Sequence, residues 1–404
     1  MLKIIELFGG IGAFSKALEN LDIDFEIVDY VEIDKYAVKS FNAIHGTNFE
    51  PQDIKEWNKD IEVDIIMHGS PCQDFSLSGF QAGGDKGSGT RSSLMYETLR
   101  IVEKLKPKVV IWENVKNLLS KKHKHNFDSY IDNMTTLGYN SYYQVLNAKD
   151  YGIPQNRERV YTISIRKDLG YSYIFPQKQE LKLRLKDMLE DNVEEKYYLS
   201  EKMIYYISKV GTKTFHNKDS RINLEIARPL TTEHGKRAGT TNYISEDLPS
   251  EYNLNIIKYG TYYTWKDKQG NYNTQCNRAC DEENCSLTIP AVAGLTKVLV
   301  KDKINVIGNY SPSGHEASRI VDNRGIAPTV KENHGTVTAT NVGLRIRRLI
   351  PLECFKLMGF TKEDFIKAKL TGNSDTQLYK QAGNSIVVNV LMEIIRELIK
   401  QKII

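Results

Sequence analysis

The feature that most restricts the fold is the rhythm of the first ~165 residues, where short apolar runs alternate with longer amphipathic ones, as strands and helices do when they wind a parallel sheet. Ile4 to Phe8 reads as a strand, Ile11 to Leu21 as a helix, Phe25 to Glu32 as a strand and Lys35 to His45 as a helix. Val63 to His68 and Val109 to Trp112 are further apolar runs, each ending directly in polar or small residues. The pattern predicts an α/β domain with a doubly wound, mostly parallel sheet, in which chemistry gathers at strand C-terminal ends. From about residue 170 the rhythm is lost. Segments such as Tyr259-Gly260-Thr261-Tyr262-Tyr263-Thr264-Trp265 predict a smaller, loop-rich, mainly β second domain. Ile386 to Lys402 reads as a final helix with one broad apolar face.

Length agrees with two domains, because 404 residues exceed the ~250 to 300 at which a single core stops growing. With 40% hydrophobic and 26% charged residues, the composition is that of a soluble globular protein and not of a disordered one. The start, Met1-Leu2-Lys3-Ile4-Ile5-Glu6-Leu7-Phe8, lacks the features of a signal peptide, and no stretch is long and uncharged enough to span a bilayer. A cytoplasmic protein without a membrane partner is expected. Cys72, Cys276, Cys280, Cys285 and Cys354 are few and odd in number, which argues for free thiols. The net charge of +4 is mild, but residues 171 to 350 carry 26 basic against 21 acidic side chains, so the excess lies in the middle.

After the first apolar run comes Phe8-Gly9-Gly10-Ile11-Gly12-Ala13-Phe14, where glycines permit a tight turn and close approach of a ligand to a helix start. The spacing is not the full dinucleotide fingerprint, and the bland alternative is a plain turn. Glu32 closes the second run about 20 residues after Gly12, where a carboxylate can accept hydrogen bonds from ribose hydroxyls. Asp53 follows the third element in a similar place. The pair suggests a nucleoside ligand; the alternative makes both solvated strand-end acids.

Val63 to His68 leads into Gly69-Ser70-Pro71-Cys72-Gln73, a rigid turn that would present a thiol at the sheet edge. A thiolate is the side chain best suited to conjugate addition, although an isolated cysteine is more often inert and buried. Val109 to Trp112 ends in Glu113-Asn114-Val115, where a half-buried carboxyl would have a raised pKa and could donate to a heterocycle. In Gln155-Asn156-Arg157-Glu158-Arg159-Val160-Tyr161 the alternate arginines of a strand point to one face.

With these runs in this order, the chain closely resembles the DNA cytosine-5 methyltransferase family. The resemblance rests on Glu6 to Gly12, Pro71-Cys72-Gln73, Glu113-Asn114-Val115, Gln155 to Arg159, Arg348-Leu349-Ile350-Pro351-Leu352-Glu353-Cys354 and Gln381-Ala382-Gly383-Asn384-Ser385-Ile386. It covers Leu2 to Arg166 and resumes from about Arg345. It implies a Rossmann-like catalytic and cofactor-binding domain at 1–170, a target-recognition domain at 171–345, a connection at 346–378, and a segment at 379–404 returning to the first domain. The implied cofactor is S-adenosylmethionine, with no metal. Its contacts would come from Phe8, Gly10, Ile11, Gly12, Glu32, Ile33, Asp53, Ile54, Ser70, Pro71, Leu94, Asn384 and Ser385. Cys72 would attack carbon 6 of cytosine, Glu113 would hold the N3 edge, Arg159 the carbonyl oxygen, and Arg157 would support the site. The base must then be flipped from the duplex. Gln73 to Ser93, with Gly83-Gly84, Gly87 and Gly89, reads as a lid or as an ordinary surface loop.

The expected partner is double-stranded DNA, contacted by Ser76, Ser78, Arg91, Arg228, Lys236 and Arg237, with Arg221, Arg319 and Arg324 as further basic candidates. A restriction-modification setting would add a cognate restriction endonuclease, and the expected working form is a monomer. The spacing of Cys276, Cys280 and Cys285 tempts a zinc reading, but a structural site normally needs four ligands in paired short spacings, and the fourth would have to come from a distant histidine. Lys121-Lys122-His123-Lys124-His125 reads as a solvated loop or a phosphate contact. Two residues depart from the family pattern: Ser70, where many relatives carry Phe, and Ile33, where an aromatic is common. Competing readings are an RNA cytosine methyltransferase on the same scaffold, a dinucleotide-dependent oxidoreductase, which leaves Pro71-Cys72 and Gln155 to Arg159 idle, and a non-catalytic DNA-binding module.

Overall fold

The computed structural model describes residues 1–71, 94–199, 226–227, 229–232, 242–247, 263–266, 272–275, 287–288, 297–298, 306–309, 319–321, 339–340 and 344–404. They form two compact units, Met1–Ile244 with Ile346–Ile404, and Ser245–Arg345.

The first unit begins β1 (Leu2–Leu7), α1 (Ala13–Glu19), β2 (Phe25–Val31), α2 (Lys35–His45), β3 (Ile65–His68), α3 (Met95–Leu105), β4 (Val109–Val115), α4 (Lys124–Thr136), β5 (Tyr139–Asn147) and β6 (Glu158–Arg166). It closes with α5 (Pro351–Lys356), α6 (Lys362–Leu370), α7 (Asp375–Asn384) and α8 (Val388–Lys400). The strands make one sheet in the order β2-β1-β3-β4-β6-β5. Strands β1 to β4 are parallel, whereas β6 runs antiparallel to both β4 and β5. The sheet is therefore mixed, and the reversal places the start of β6 at the edge where β4 ends.

Both faces are covered. Ile4, Ile65, Ile111 and Ile163 pack with α1 and α8 on one side, and Ile5, Ile66, Val110 and Val160 pack with α3 and α4 on the other. Near-continuous apolar runs are what strands buried on both faces require. Asp34 caps α2 by accepting from the Tyr36 N–H at 2.9 Å, and Gly46, with φ of 68°, ends it in the left-handed region. Helix α1 starts at Ala13, later than Ile11, because Gly12 stands in the left-handed region at its N-terminus with no cap of its own. Buried Glu6 of β1 serves instead, accepting from the Ser15 N–H at 2.9 Å and the Phe14 N–H at 3.4 Å.

Residues beyond 170 also join this core. Tyr173, Leu185, Met188 and Tyr197 are buried in the cluster that holds α8, and Gln401 exchanges hydrogen bonds of 2.9 Å with the Ile174 backbone. The chain leaves the first unit within β7 (Tyr243–Asp247) and returns within β15 (Leu344–Arg348). On return, Arg347 and Glu353 form a fully buried ion pair, and Glu353 also accepts the Ile350 N–H at the start of α5. The second unit contains antiparallel pairs β8 (Tyr263–Lys266) with β9 (Tyr272–Gln275) and β10 (Leu287–Thr288) with β11 (Lys297–Val298). In it β13 (Arg319–Val321) lies between antiparallel β12 (Val306–Asn309) and parallel β14 (Ala339–Thr340). Among the described residues no helix is long and apolar enough to cross a membrane.

His68, the last residue of β3, is fully buried; its Nε2 lies 2.9 Å from the Tyr130 hydroxyl and its Nδ1 has no partner among the described residues. Burial lowers its pKa from 6.5 to about 3. Between those values the unfolded chain binds a proton that the folded one does not, so stability rises with pH there and is lost as pH falls. Each pH unit within that window is worth about 1.4 kcal/mol. His68→Gln is expected to flatten the fall by up to that slope in urea unfolding followed from about pH 6 to about pH 4.

Candidate active site

The ends of β1 and β2 frame a turn. Tyr30 donates its hydroxyl to the Gly10 carbonyl at 2.6 Å, and the Gly10 N–H donates to Glu32 Oε2 at 3.2 Å. The Asp34 N–H donates to Glu32 Oε1 at 2.8 Å, so each carboxylate oxygen keeps a lone pair for a ligand hydroxyl. Burial pushes the Glu32 carboxyl above its ordinary value, against the pull of those N–H groups. Gly12 has φ of 80°, and a Cβ there would stand 2.2 Å from His45 Nε2, so the turn has no room for a side chain. Phe8 is half-buried, and Ile33 beside Glu32 is 67% exposed.

The Gln52 N–H donates to the Glu32 carbonyl at 2.9 Å and brings the next segment to this edge. There Ile54 is buried and its carbonyl accepts from Arg100 Nη2 at 2.8 Å, while Asp53 accepts from the Lys55 N–H at 3.0 Å. Helix α7 reaches the same place: Lys380 pairs with Asp34 at 2.6 Å, and Gln381 donates to the Tyr36 carbonyl at 2.9 Å. Its end leaves Asn384 exposed and Ser385 buried.

Glu113 and Arg159 meet at the centre. Val115 of β4 is opposite Arg159 of β6, and Arg159 Nε lies 3.1 Å from Glu113 Oε1, with both side chains largely buried. Burial raises the Glu113 pKa, and the charges of Arg159 and Arg157 oppose that rise without cancelling it. A Cβ on Gly69 would be 3.8 Å from Glu113 Oε2 and 3.4 Å from Ile386, so the β3 turn and the segment after α7 both border the carboxyl. The site thus offers a carboxyl able to hold a proton, next to a fixed cation.

Arg157 takes a different part. It donates to the Leu230 carbonyl at 2.8 Å and to the Gly383 and Ser385 carbonyls at 3.1 and 2.8 Å. Gln155 accepts the Leu230 N–H at 3.2 Å and donates to the Leu357 carbonyl at 2.8 Å. These residues tie three chain segments together. Gln155, Tyr30, Glu6 and His45 were given no role from sequence. An acid inside an apolar strand, as at Glu6, is the one local signal that pointed to such a duty.

Ser70 is buried, Pro71 half-buried and Leu94 half-buried before α3. Cys72, Ser76, Ser78, Arg91, Arg228, Lys236 and Arg237 lie outside the described residues, as do Cys276, Cys280 and Cys285. Cys354 is a free, buried thiol pushed up by burial.

A mixed sheet with a carboxylate just after its second strand, and an acid of its fourth strand paired with an arginine of its sixth, places the chain among α/β proteins. The fold is similar to that of Dnmt2 methyltransferase from S. pombe, with a TM-score of 0.59, 18% identity and 99% of each chain covered. It is also similar to EhMeth from Entamoeba histolytica, with a TM-score of 0.60, 16% identity and coverage of 99% and 98%. Residues 2–400 match the C-5 cytosine-specific DNA methylase family, and the chain belongs to that family. Its relatives include the orphan methyltransferase M.SPRI of Bacillus phage SPR, 33% identical over 98% of this chain and 97% of that one. The type II methyltransferase M.Bsp6I of Bacillus sp. is 31% identical over 99% of both chains.

A Cβ on Gly383 would lie 2.5 Å from the Thr231 backbone carbon, a neighbour that cannot swing aside. Gly383→Ala is expected to cost about 1–3 kcal/mol in chemical unfolding and to loosen the contact that Arg157 holds.

Proposed function

We propose that this chain methylates carbon 5 of a cytosine flipped out of duplex DNA, using S-adenosylmethionine and a covalent adduct through Cys72. The observation that carries the reading is the largely buried Glu113, its pKa raised, paired with Arg159 at the edge where the β3 turn runs towards Cys72. Family membership supplies the base and the position on it.

The cofactor pocket fits a nucleoside. Glu32 retains lone pairs for ribose hydroxyls, Ile33 offers exposed apolar surface, and Phe8, Ile54 and Asp53 are candidates to flank the adenine. Gly10, Ile11 and Gly12 would meet the ligand through backbone, with Ser70, Pro71, Leu94, Asn384 and Ser385 completing the wall. When bound, S-adenosylmethionine supplies an electrophilic methyl group.

The protein's own groups prepare the base. The Cys72 thiolate adds to carbon 6, and Glu113 donates its proton to N3, which draws electrons towards the ring nitrogen and leaves carbon 5 nucleophilic. Arg159 donates to the carbonyl oxygen, and Arg157 positions the walls through three carbonyls. After methylation, loss of the carbon 5 proton expels Cys72. We assign target reading to the region of roughly residues 185 to 345, including Arg228, Lys236 and Arg237, with Ser76, Ser78 and Arg91 as further DNA contacts. The type II names among the relatives support a cognate restriction endonuclease as partner; the orphan names support an enzyme that works without one. A cytoplasmic monomer completes the reading.

Expression in cells free of cytosine methylation, followed by sequencing that distinguishes 5-methylcytosine, should reveal the mark in a fixed context. Absence of the mark from active cultures of soluble protein refutes the proposal. Glu113→Gln is expected to lower kcat at least ~100-fold. Because burial raises the Glu113 pKa, the wild-type rate should persist above the ordinary carboxyl range and fall as pH rises through the shifted value. Residual Glu113→Gln activity should lack that alkaline limb.

A further inference from the structure

Side chains at the end of β3 alternate between the two sheet faces. Gly69 borders Glu113 on one face, while His68 and Ser70 turn to the other, where Trp112 of β4 lies. The Ser70 hydroxyl accepts from Trp112 Nε1 at 3.0 Å, and the Ser70 carbonyl is 3.4 Å from the Asn114 amide nitrogen, which donates to it. The Asn114 side-chain oxygen in turn accepts the Val115 N–H at 2.8 Å. Ser70 is 4% exposed and Trp112 1%, so no water competes for the indole N–H. The ring itself is fixed, with its centroid 4.0 Å from that of Tyr130 and 5.8 Å from that of Phe127, and it stacks on His68 at 5.7 Å.

Trp112 and Asn114 are the residues on either side of Glu113. One strand therefore presents the acid on one face and grips the adjoining turn on the other. We propose that Trp112 and Asn114 are positioning residues for methyl transfer, holding Ser70 by its hydroxyl and its carbonyl so that the Gly69–Pro71 turn, which runs on into Cys72, keeps a set place relative to Glu113. The inference rests on the roles of Cys72 and Glu113 proposed above. It also gives Ser70, a departure from the family pattern, a specific partner: the hydroxyl is the acceptor that a buried indole at position 112 requires.

The test is a double-mutant cycle on the full chain with Ser70→Ala, Trp112→Phe and the combination, reading single-turnover rate, KM for DNA and cofactor, cofactor binding by calorimetry, and Tm. A displacement of ~1 Å at a reacting group costs up to ~100-fold, so each single variant should slow single turnover about 10-fold or more. In Trp112→Phe both KM values and the cofactor Kd should stay within about 2-fold of wild type, because Trp112 is given no contact with substrate or cofactor. Ser70→Ala should lower Tm by stranding the indole N–H, and should lower it less in the Trp112→Phe background, where no indole N–H is left to strand. A positioning role keeps the double variant as slow as the slower single one. Recovery of rate in the double variant would reduce the pair to a structural contact and overturn the proposal, as would wild-type rates in all three variants. Should Trp112→Phe fail to fold, Ser70→Ala alone decides: a wild-type rate overturns the proposal. Inactive wild-type protein, or turnover by Cys72→Ser, would instead sink the underlying reading of the reaction, and this inference with it.

Discussion

The arrangement of the site depends on one backbone interaction, the antiparallel pairing of β6 with β4. Parallel neighbours deliver only their C-terminal ends to the reactive edge of the sheet. Reversal of β6 delivers an N-terminal end to that edge, and with it Arg157 and Arg159. The register that sets Val115 opposite Arg159 puts a guanidinium beside the carboxyl two residues earlier in β4. A parallel β6 would carry both arginines to the far end of the sheet and leave Glu113 without its cation.

Several of the polar groups buried at this edge answer one another. Arg157 donates its guanidinium N–H groups to the carbonyls of Leu230, Gly383 and Ser385. Glu6 supplies the N–H acceptors that Gly12 cannot, and Arg347 with Glu353 joins the returning chain to α5. The last pair is bidentate and wholly buried, the geometry in which mutual attraction best offsets desolvation. Glu113 meets the cation of Arg159, yet burial still raises its pKa, as it does that of Glu6.

Much of the first unit was legible because its information is local. The apolar runs at Ile4, Phe25, Val63 and Val109 became β1 to β4, and Lys35 to His45 became α2 with the cap and stop that Asp34 and Gly46 encode. The placement of an acid after Trp112 and the common face of Arg157 and Arg159 follow from strand periodicity, although Glu113 is buried and not half-buried. The different fates of those two arginines do not, because they depend on Leu230, Gly383 and Ser385, which lie far away in sequence. For the same reason the loop-like stretch after residue 170 gave no sign that Tyr173 and Tyr197 would be buried against the core that holds α8. Fragments without periodicity can be ordered wholly by tertiary contacts, and such contacts leave no local pattern. The bond from Trp112 to Ser70 is equally silent, since neither residue alone announces a hydrogen bond across adjacent strands.

The central claim is that the edge bearing Glu113 and Arg159 activates cytosine for attack by Cys72. Trapping tests it most directly: duplex DNA with 5-fluorocytosine at the methylated position, incubated with protein and S-adenosylmethionine, then denatured and digested for mass spectrometry. Fluorine cannot leave carbon 5 as a proton does, so the adduct should persist and map to the peptide containing Cys72. It should be lost with Glu113→Ala protein that still binds the DNA. An active wild-type protein that forms no adduct, or one linked through another residue, would contradict the account.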